Sequence, residues 1–371
     1  MDGSGLPLER SAGCLSVGPI DGRLGAFAGM ALGRPVLSAN ITTRAPIVYD
    51  PFLPGRAVDR LTGTAVVAAG EVTTWTAIVK RTTGAGLRAA SRELAAYRHG
   101  VAAHRSDDAL GAPALLGFDQ GPGHVELWLE ELNDEHAGRW PSSRYSLAAA
   151  HIARWDVAMS KARVVGVDVD DAWAQRHGQP HRVAEAVGKL TVLRRDPAAD
   201  EVMALLDDDG FQRTQAMITS TDARIASLAK FPQSLLHHDL VRANLFAVEG
   251  ARTAAIDWEN IGPGPVGVDL APLVVGSVRR GEASSADLVD LERGVLLSYE
   301  EALAAAGGDD SQVRTAYQLA LGLRWHVVLG TVQAWLDPAI ARIRGSRPDE
   351  SRTQGVNHLI ALSKHLLDTH R

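Results

Sequence analysis

Asp239, Asn244 and Asp257 are the residues of this chain whose types and spacing best suit joint chemistry. They lie in residues 235–259, LLHHDLVRANLFAVEGARTAAIDWE. Two short apolar runs there, 245–248 and 253–257, flank Glu249-Gly250, which is a hairpin signal. The polar stretch HHDLVRAN precedes the hairpin, so the three side chains are expected to meet at one of its ends. A carboxylate, an amide oxygen and a second carboxylate are what phosphoryl transfer needs. One carboxylate orients an attacking hydroxyl, while the amide and the other carboxylate hold Mg²⁺ on nucleotide phosphates.

The order H-x-D-x-x-x-x-N followed by I-D-W-E resembles the catalytic loop and metal-binding aspartate of the aminoglycoside phosphotransferase and choline kinase-like superfamily. These proteins are relatives of the protein kinases. The resemblance covers about residues 40–300 and is strongest at 235–270. It implies ATP or GTP as donor, Asp239 as catalytic base, and Asn244 and Asp257 as ligands of Mg²⁺. It also implies that His237 packs against the segment of the metal aspartate, and that Asp269, in GPGPVGVDLAPLV, bonds the backbone of the catalytic loop. His238 stands where the family commonly has glycine, and LVRAN replaces its usual filler.

The same resemblance assigns Lys80, at the end of VTTWTAIVK, to the phosphates, with Glu93 of RELAAYR as its partner acid. Backbone groups of Glu130 and Leu132, where HVELWLEEL ends, would hydrogen-bond adenine. The phosphate-covering loop would be DPFLPGR, residues 50–56. Its single glycine and two prolines depart from a glycine-rich cradle.

Several elements must position these groups. Residues 39–81 carry strand signals punctuated by Gly55, Gly63 and Gly70. Residues 84–103 read as a helix, with Leu87, Leu94 and Tyr97 at helical spacing. Residues 113–119 and 124–132, joined by QGPG, read as a hairpin. Helices are expected at 145–163, 181–195, 211–230, 268–280, 283–306, 311–335 and 351–370. The expected fold is a two-lobed α+β kinase-like one: a mainly antiparallel sheet with one helix, then a larger helical lobe. Its expected parts are an N-terminal extension at 1–38, either an arm or a small cap, a nucleotide-binding lobe at 39–132 and an acceptor-binding lobe at 133–371.

Composition narrows the function classes. At 371 residues, 46% hydrophobic and 22% charged, the chain resembles an ordinary globular protein. A net charge of −6 argues against nucleic acid as a partner. Cys14 is the single cysteine, so internal disulfides and multi-cysteine metal sites are excluded. The apolar stretch at 24–33 is short and follows Asp2 and Glu9, where a secretory signal has cations. No run reaches membrane-spanning length, so a soluble, cytoplasmic protein without a membrane partner is expected. The acidic run 167–171 lacks the EF-hand pattern, and His177 and His181 have no further ligands at a suitable spacing.

The acceptor is expected to be a hydroxyl-bearing small molecule. Residues 1–132 hold 13 acidic against 12 basic side chains, and residues 133–371 hold 31 against 26. That acid excess favours a cationic or neutral compound, with an aminoglycoside or another antibiotic first. The alternatives are a metabolic kinase for a sugar, amino alcohol or nucleoside, and a non-catalytic nucleotide-binding regulator. A protein kinase is disfavoured because no A-P-E segment follows Asp257.

Overall fold

The computed structural model describes residues 22–47, 55–68, 70–99, 109–136, 138–160, 180–249, 251–337 and 352–369. Most of the expected phosphate loop, the acidic run 167–171 and His177 lie outside them. Backbone contacts divide the chain into two compact units.

The first unit comprises the chain up to Gly84 together with Leu115–Glu131. It contains helix α1 (Gly22–Leu32) and strands β1 (Val36–Ile47), β2 (Arg56–Val67), β3 (Val72–Thr83), β4 (Leu115–Gly121) and β5 (His124–Leu129). The strands form one antiparallel sheet in the order β1-β2-β3-β5-β4. Alternation sets the faces: Trp75, Ala77 and Val79 are buried on one side of β3, and Lys80 follows on the other. Phe27 of α1 stacks 4.9 Å from Trp128 and fills the space beside Gly117, where a Cβ would lie 1.9 Å from its ring. Gly22–Leu32 is therefore a cap on this unit rather than an arm.

The second unit comprises Ala85–Ala114 and the chain from Leu132 onward. The division after β5 falls within one residue of the expected 132/133, and residues 85–114 group with the second unit. Helix α2 (Leu87–Arg98) groups with the helical part because it packs on the 3-10 turn Trp258–Asn260. It is followed by α3 (Ser142–Ser160), α4 (Pro180–Leu193), α5 (Pro197–Leu206), α6 (Gly210–Thr219) and α7 (Thr221–Leu228). Short strands β6 (Gln233–Leu236), β7 (Leu245–Val248), β8 (Arg252–Ala255) and β9 (Gly262–Pro265) come next. Helices α8 (Leu270–Arg279), α9 (Leu288–Ala305), α10 (Val313–Gly322), α11 (Trp325–Leu336) and α12 (Arg352–Asp368) complete it.

Three expectations are corrected here. The helix expected at 211–230 breaks at Ser220, and the one at 311–335 breaks at Leu323 and Arg324. Helix α5 was not foreseen; Asp196 caps it by accepting from Ala198 N, with Pro197 at its first position. The second hairpin strand stops at Ala255 rather than at Asp257.

Two small sheets pair β6 with β9 and β7 with β8. The core beneath them is aromatic. Trp155 of α3 donates from Nε1 to Leu235 O at 3.0 Å, and its ring lies 5.1 Å from that of Trp258. Both indoles are essentially buried, which contributes on the order of 3 kcal/mol each. The loop that carries Asp239 and Asn244 lies between β6 and β7. No described helix is long and apolar enough to cross a membrane.

Candidate active site

The loop that leaves β6 is anchored at its first two residues. Asp269, just before α8, accepts from His237 N at 3.0 Å and from His238 N at 3.2 Å. This is the structural role expected for Asp269. Burial pushes its carboxyl up to about 6, against the two backbone bonds that favour the charged form.

His237 joins the two halves of the site. Its Nε2 donates to Ile256 O at 2.9 Å, its Nδ1 accepts from Asp239 N at 3.3 Å, and its ring lies 4.7 Å from Trp258. These bonds are met by the tautomer with its proton on Nε2. His238 adopts a left-handed backbone, φ 66°, where the family commonly has glycine. Its ring lies over Gly264, where a Cβ would be 2.4 Å from Cε1, so only glycine fits there.

Asn244 Nδ2 donates to Asp239 O at 2.9 Å and to Asp239 Oδ2 at 3.4 Å. The amide oxygen is thereby turned away from Asp239, as a metal ligand would be. Ile256 N donates to Asn244 O at 2.9 Å, which fixes the two segments side by side. Asp257 follows with φ 67° and ψ 52°, a left-handed conformation that aspartate tolerates better than most residues.

Asp257 is also one of three clustered carboxylates. Ligand oxygens of Glu93, Asp257 and Glu259 lie within 4.8 Å of one another, with Glu93 fully buried. Arg92 donates to Glu259 O at 3.2 Å, which ties α2 to the turn after Asp257. The Tyr97 phenol is pushed well up, first by burial and then by the charges of Glu93 and Asp257. An oxygen-only donor set of this kind fits a hard divalent ion.

The sequence reading assigned Glu93 to Lys80. The structure also brings Glu93 beside Asp257 and Glu259, and Lys80 lies in the first unit. There Lys80 is 7% exposed, opposite Val58 and Leu127 in the sheet. Glu130, just past β5, is exposed, and Leu132 is half-buried.

Two supports of the loop were not foreseen. Arg242 pairs with Asp134 at 2.6 Å, donates to Leu245 O at 2.7 Å and lies 4.1 Å over the Trp140 ring. Asp134 in turn accepts from Ala247 N at 3.1 Å. The only signal was the acidic stretch after HVELWLEEL, 108 residues from its partner. The second support is Gly276 of α8, where a Cβ would lie 2.6 Å from Val241 Cγ1.

Comparisons with known proteins bear on the family and the fold. A family model described as "Phosphotransferase enzyme family" matches residues 42–306. No curated protein matches the chain. The fold is similar to that of an aminoglycoside phosphotransferase from Alicyclobacillus acidocaldarius, with a TM-score of 0.53 and 15% identity over 89% of this chain and 97% of that one. An amicoumacin kinase solved with AMP-PNP, Ca²⁺ and Ami gives a TM-score of 0.49 and 12% identity over 87% of this chain and 88% of that one. The first likeness places the chain in the kinase-like α+β fold. Because the family match spans most of the chain and takes in Asp239, Asn244 and Asp257, the chain belongs to the phosphotransferase enzyme family.

Proposed function

We propose that this enzyme moves the γ-phosphoryl group of ATP or GTP to a hydroxyl of a small molecule, with Asp239 as the catalytic base. The observation that carries the reading is the Asn244 amide held on Asp239, with Asp257 fixed beside it in a left-handed turn. Asp239 accepts a hydrogen bond from the acceptor hydroxyl and takes its proton as the new O–P bond forms. The bond between the γ-phosphorus and its bridging oxygen breaks, and the nucleoside diphosphate leaves. Asn244 and Asp257 would hold Mg²⁺, and Glu93 and Glu259 lie close enough to support it. When bound, that ion neutralises charge on the nucleotide phosphates. Lys80 is the proposed phosphate-binding cation, and backbone groups of Glu130 and Leu132 are the proposed adenine contacts.

Because the transition state is loose, positioning and charge neutralisation supply most of the acceleration. The catalytic base contributes roughly 10²–10⁴-fold. On charge balance alone the acceptor is an aminoglycoside or another antibiotic, ahead of a sugar, amino alcohol or nucleoside. The test is nucleotide consumption measured against a panel of such hydroxyl compounds for wild type and Asp239→Asn. Acceptor-dependent turnover that falls at least a hundredfold in the variant supports the reading. Equal turnover in the two proteins contradicts it.

A further inference from the structure

Asn244 and Asp257 come from two segments, the turn Arg242–Asn244 and the residues just after β8. Each segment is held by an arginine that is almost buried, Arg242 at 7% exposure and Arg144 at 5%. Arg242 belongs to the turn itself, donates to Leu245 O and pairs with Asp134. Arg144, in the first turn of α3, reaches β8: its Nη1 donates to Thr253 Oγ1 at 2.8 Å and its Nη2 to Arg252 O. Thr253 Oγ1 also lies 2.8 Å from His151 Nδ1, so the strand is tied to α3 at two side chains. Strand β8 ends at Ala255, two residues before Asp257.

Trp140 is what the two arginines share. The Cζ atoms of Arg242 and Arg144 lie 4.1 Å and 4.7 Å from the centre of its ring. Trp140 is 3% exposed, and its Nε1 meets no acceptor among the described residues, so the ring face is what it offers its neighbours. A guanidinium over an indole is favoured most where water is excluded. Burial is the largest influence holding the Arg144 guanidinium below its usual range; the charge of Asp134 opposes it, and that of Arg242 adds to it. The negative face of the ring offsets part of that repulsion, so neither buried cation leaves it without cost.

We propose that Trp140 and Arg144 are positioning residues: through the shared ring they keep the turn that carries Asn244 in register with the strand that leads to Asp257, and so set the affinity of the site for its divalent ion. The ion part rests on the phosphoryl-transfer reading; the register part rests on these contacts alone.

The test compares wild type with Trp140→Leu, Trp140→Phe, Arg144→Gln and Asn244→Ala, with circular dichroism to check that each is folded. Mg²⁺ binding to the ADP-saturated protein is measured by calorimetry, and ADP binding is measured in chelator. Hydrogen exchange at the amides of Asn244 and Ile256, which donate to Val241 O and Asn244 O at 2.9 Å each, reports the turn and the register with no ion or nucleotide present. Trp140→Leu and Arg144→Gln should weaken Mg²⁺ at least tenfold and speed exchange at Ile256 at least tenfold, with ADP affinity in chelator within twofold of wild type. Trp140→Phe keeps an aromatic face and should fall between Trp140→Leu and wild type. Wild-type Mg²⁺ affinity and exchange in a folded Trp140→Leu or Arg144→Gln would overturn the proposal, and so would Trp140→Phe behaving as Trp140→Leu does. If Trp140→Leu does not fold, Trp140→Phe and Arg144→Gln decide, and wild-type exchange in both overturns it. If Asn244→Ala keeps wild-type Mg²⁺ affinity, the ligand reading fails, and the register part stands or falls on the exchange rates.

Discussion

Replacing Asp269 by Asn separates charge from hydrogen bonding at the root of the catalytic loop. The amide keeps an oxygen where Asp269 accepts from His237 N and His238 N, but it has no titrating proton. In the wild type, burial raises the Asp269 pKa from 3.8 to about 6. Two pKa units correspond to about 3 kcal/mol. Since the folded state binds the proton more tightly, this contribution to stability is fully present below about pH 4. It is lost as pH rises through 6. Between pH 5 and pH 8 the loss amounts to roughly 1 kcal/mol. Urea denaturation of wild type and Asp269→Asn at pH 5, 6, 7 and 8 should therefore show the stability difference, wild type minus variant, falling by about that amount across the range. A difference that is constant or rises with pH would mean that the two backbone bonds outweigh burial, and would refute the reasoning. Asp269→Ala is the control: it leaves two buried N–H groups without an acceptor and should cost about 2–6 kcal/mol at every pH.

Further perturbations test the supports of the loop. Arg242→Gln breaks a buried ion pair with Asp134 and should destabilise by about 3–5 kcal/mol while lowering kcat; unchanged urea midpoint and kcat would contradict the clamp. Gly276→Ala would gain about 1 kcal/mol in an ordinary helix, but here its Cβ meets Val241, so a loss of about 1–3 kcal/mol with reduced kcat is expected. A stabilised, fully active variant would show that the loop does not rest on α8. Asp239→Asn should cut transfer roughly 10²–10⁴-fold with nucleotide affinity nearly intact, and a matching loss of affinity would place Asp239 on the nucleotide instead.

The parts of the site legible in the sequence were those close together along it. Asp239 and Asn244 are five residues apart, and their hydrogen bond is a property of one loop. Asp257 was legible through the hairpin, although its left-handed backbone was not. Supports formed across long separations were hidden, as with Asp134 and Arg242 or Gly276 and Val241. The β6–β9 pair was also hidden, since Gly262–Pro265 reads GPGP, a composition that ordinarily argues against a strand. Glu93 was found, but its place beside Asp257 and Glu259 was hidden, because packing of α2 on Trp258–Asn260 sets that neighbourhood.

The central claim is that Asp257 belongs to a divalent-ion site that serves phosphoryl transfer. Its most direct test is nucleoside diphosphate release by wild type and Asp257→Ala, titrated with Mg²⁺ in the presence of the best acceptor found. Wild-type turnover should rise from zero with Mg²⁺ and saturate, while the variant stays near background at every concentration. Turnover in the variant that follows the same Mg²⁺ curve, or wild-type turnover that persists in chelator, would contradict the account.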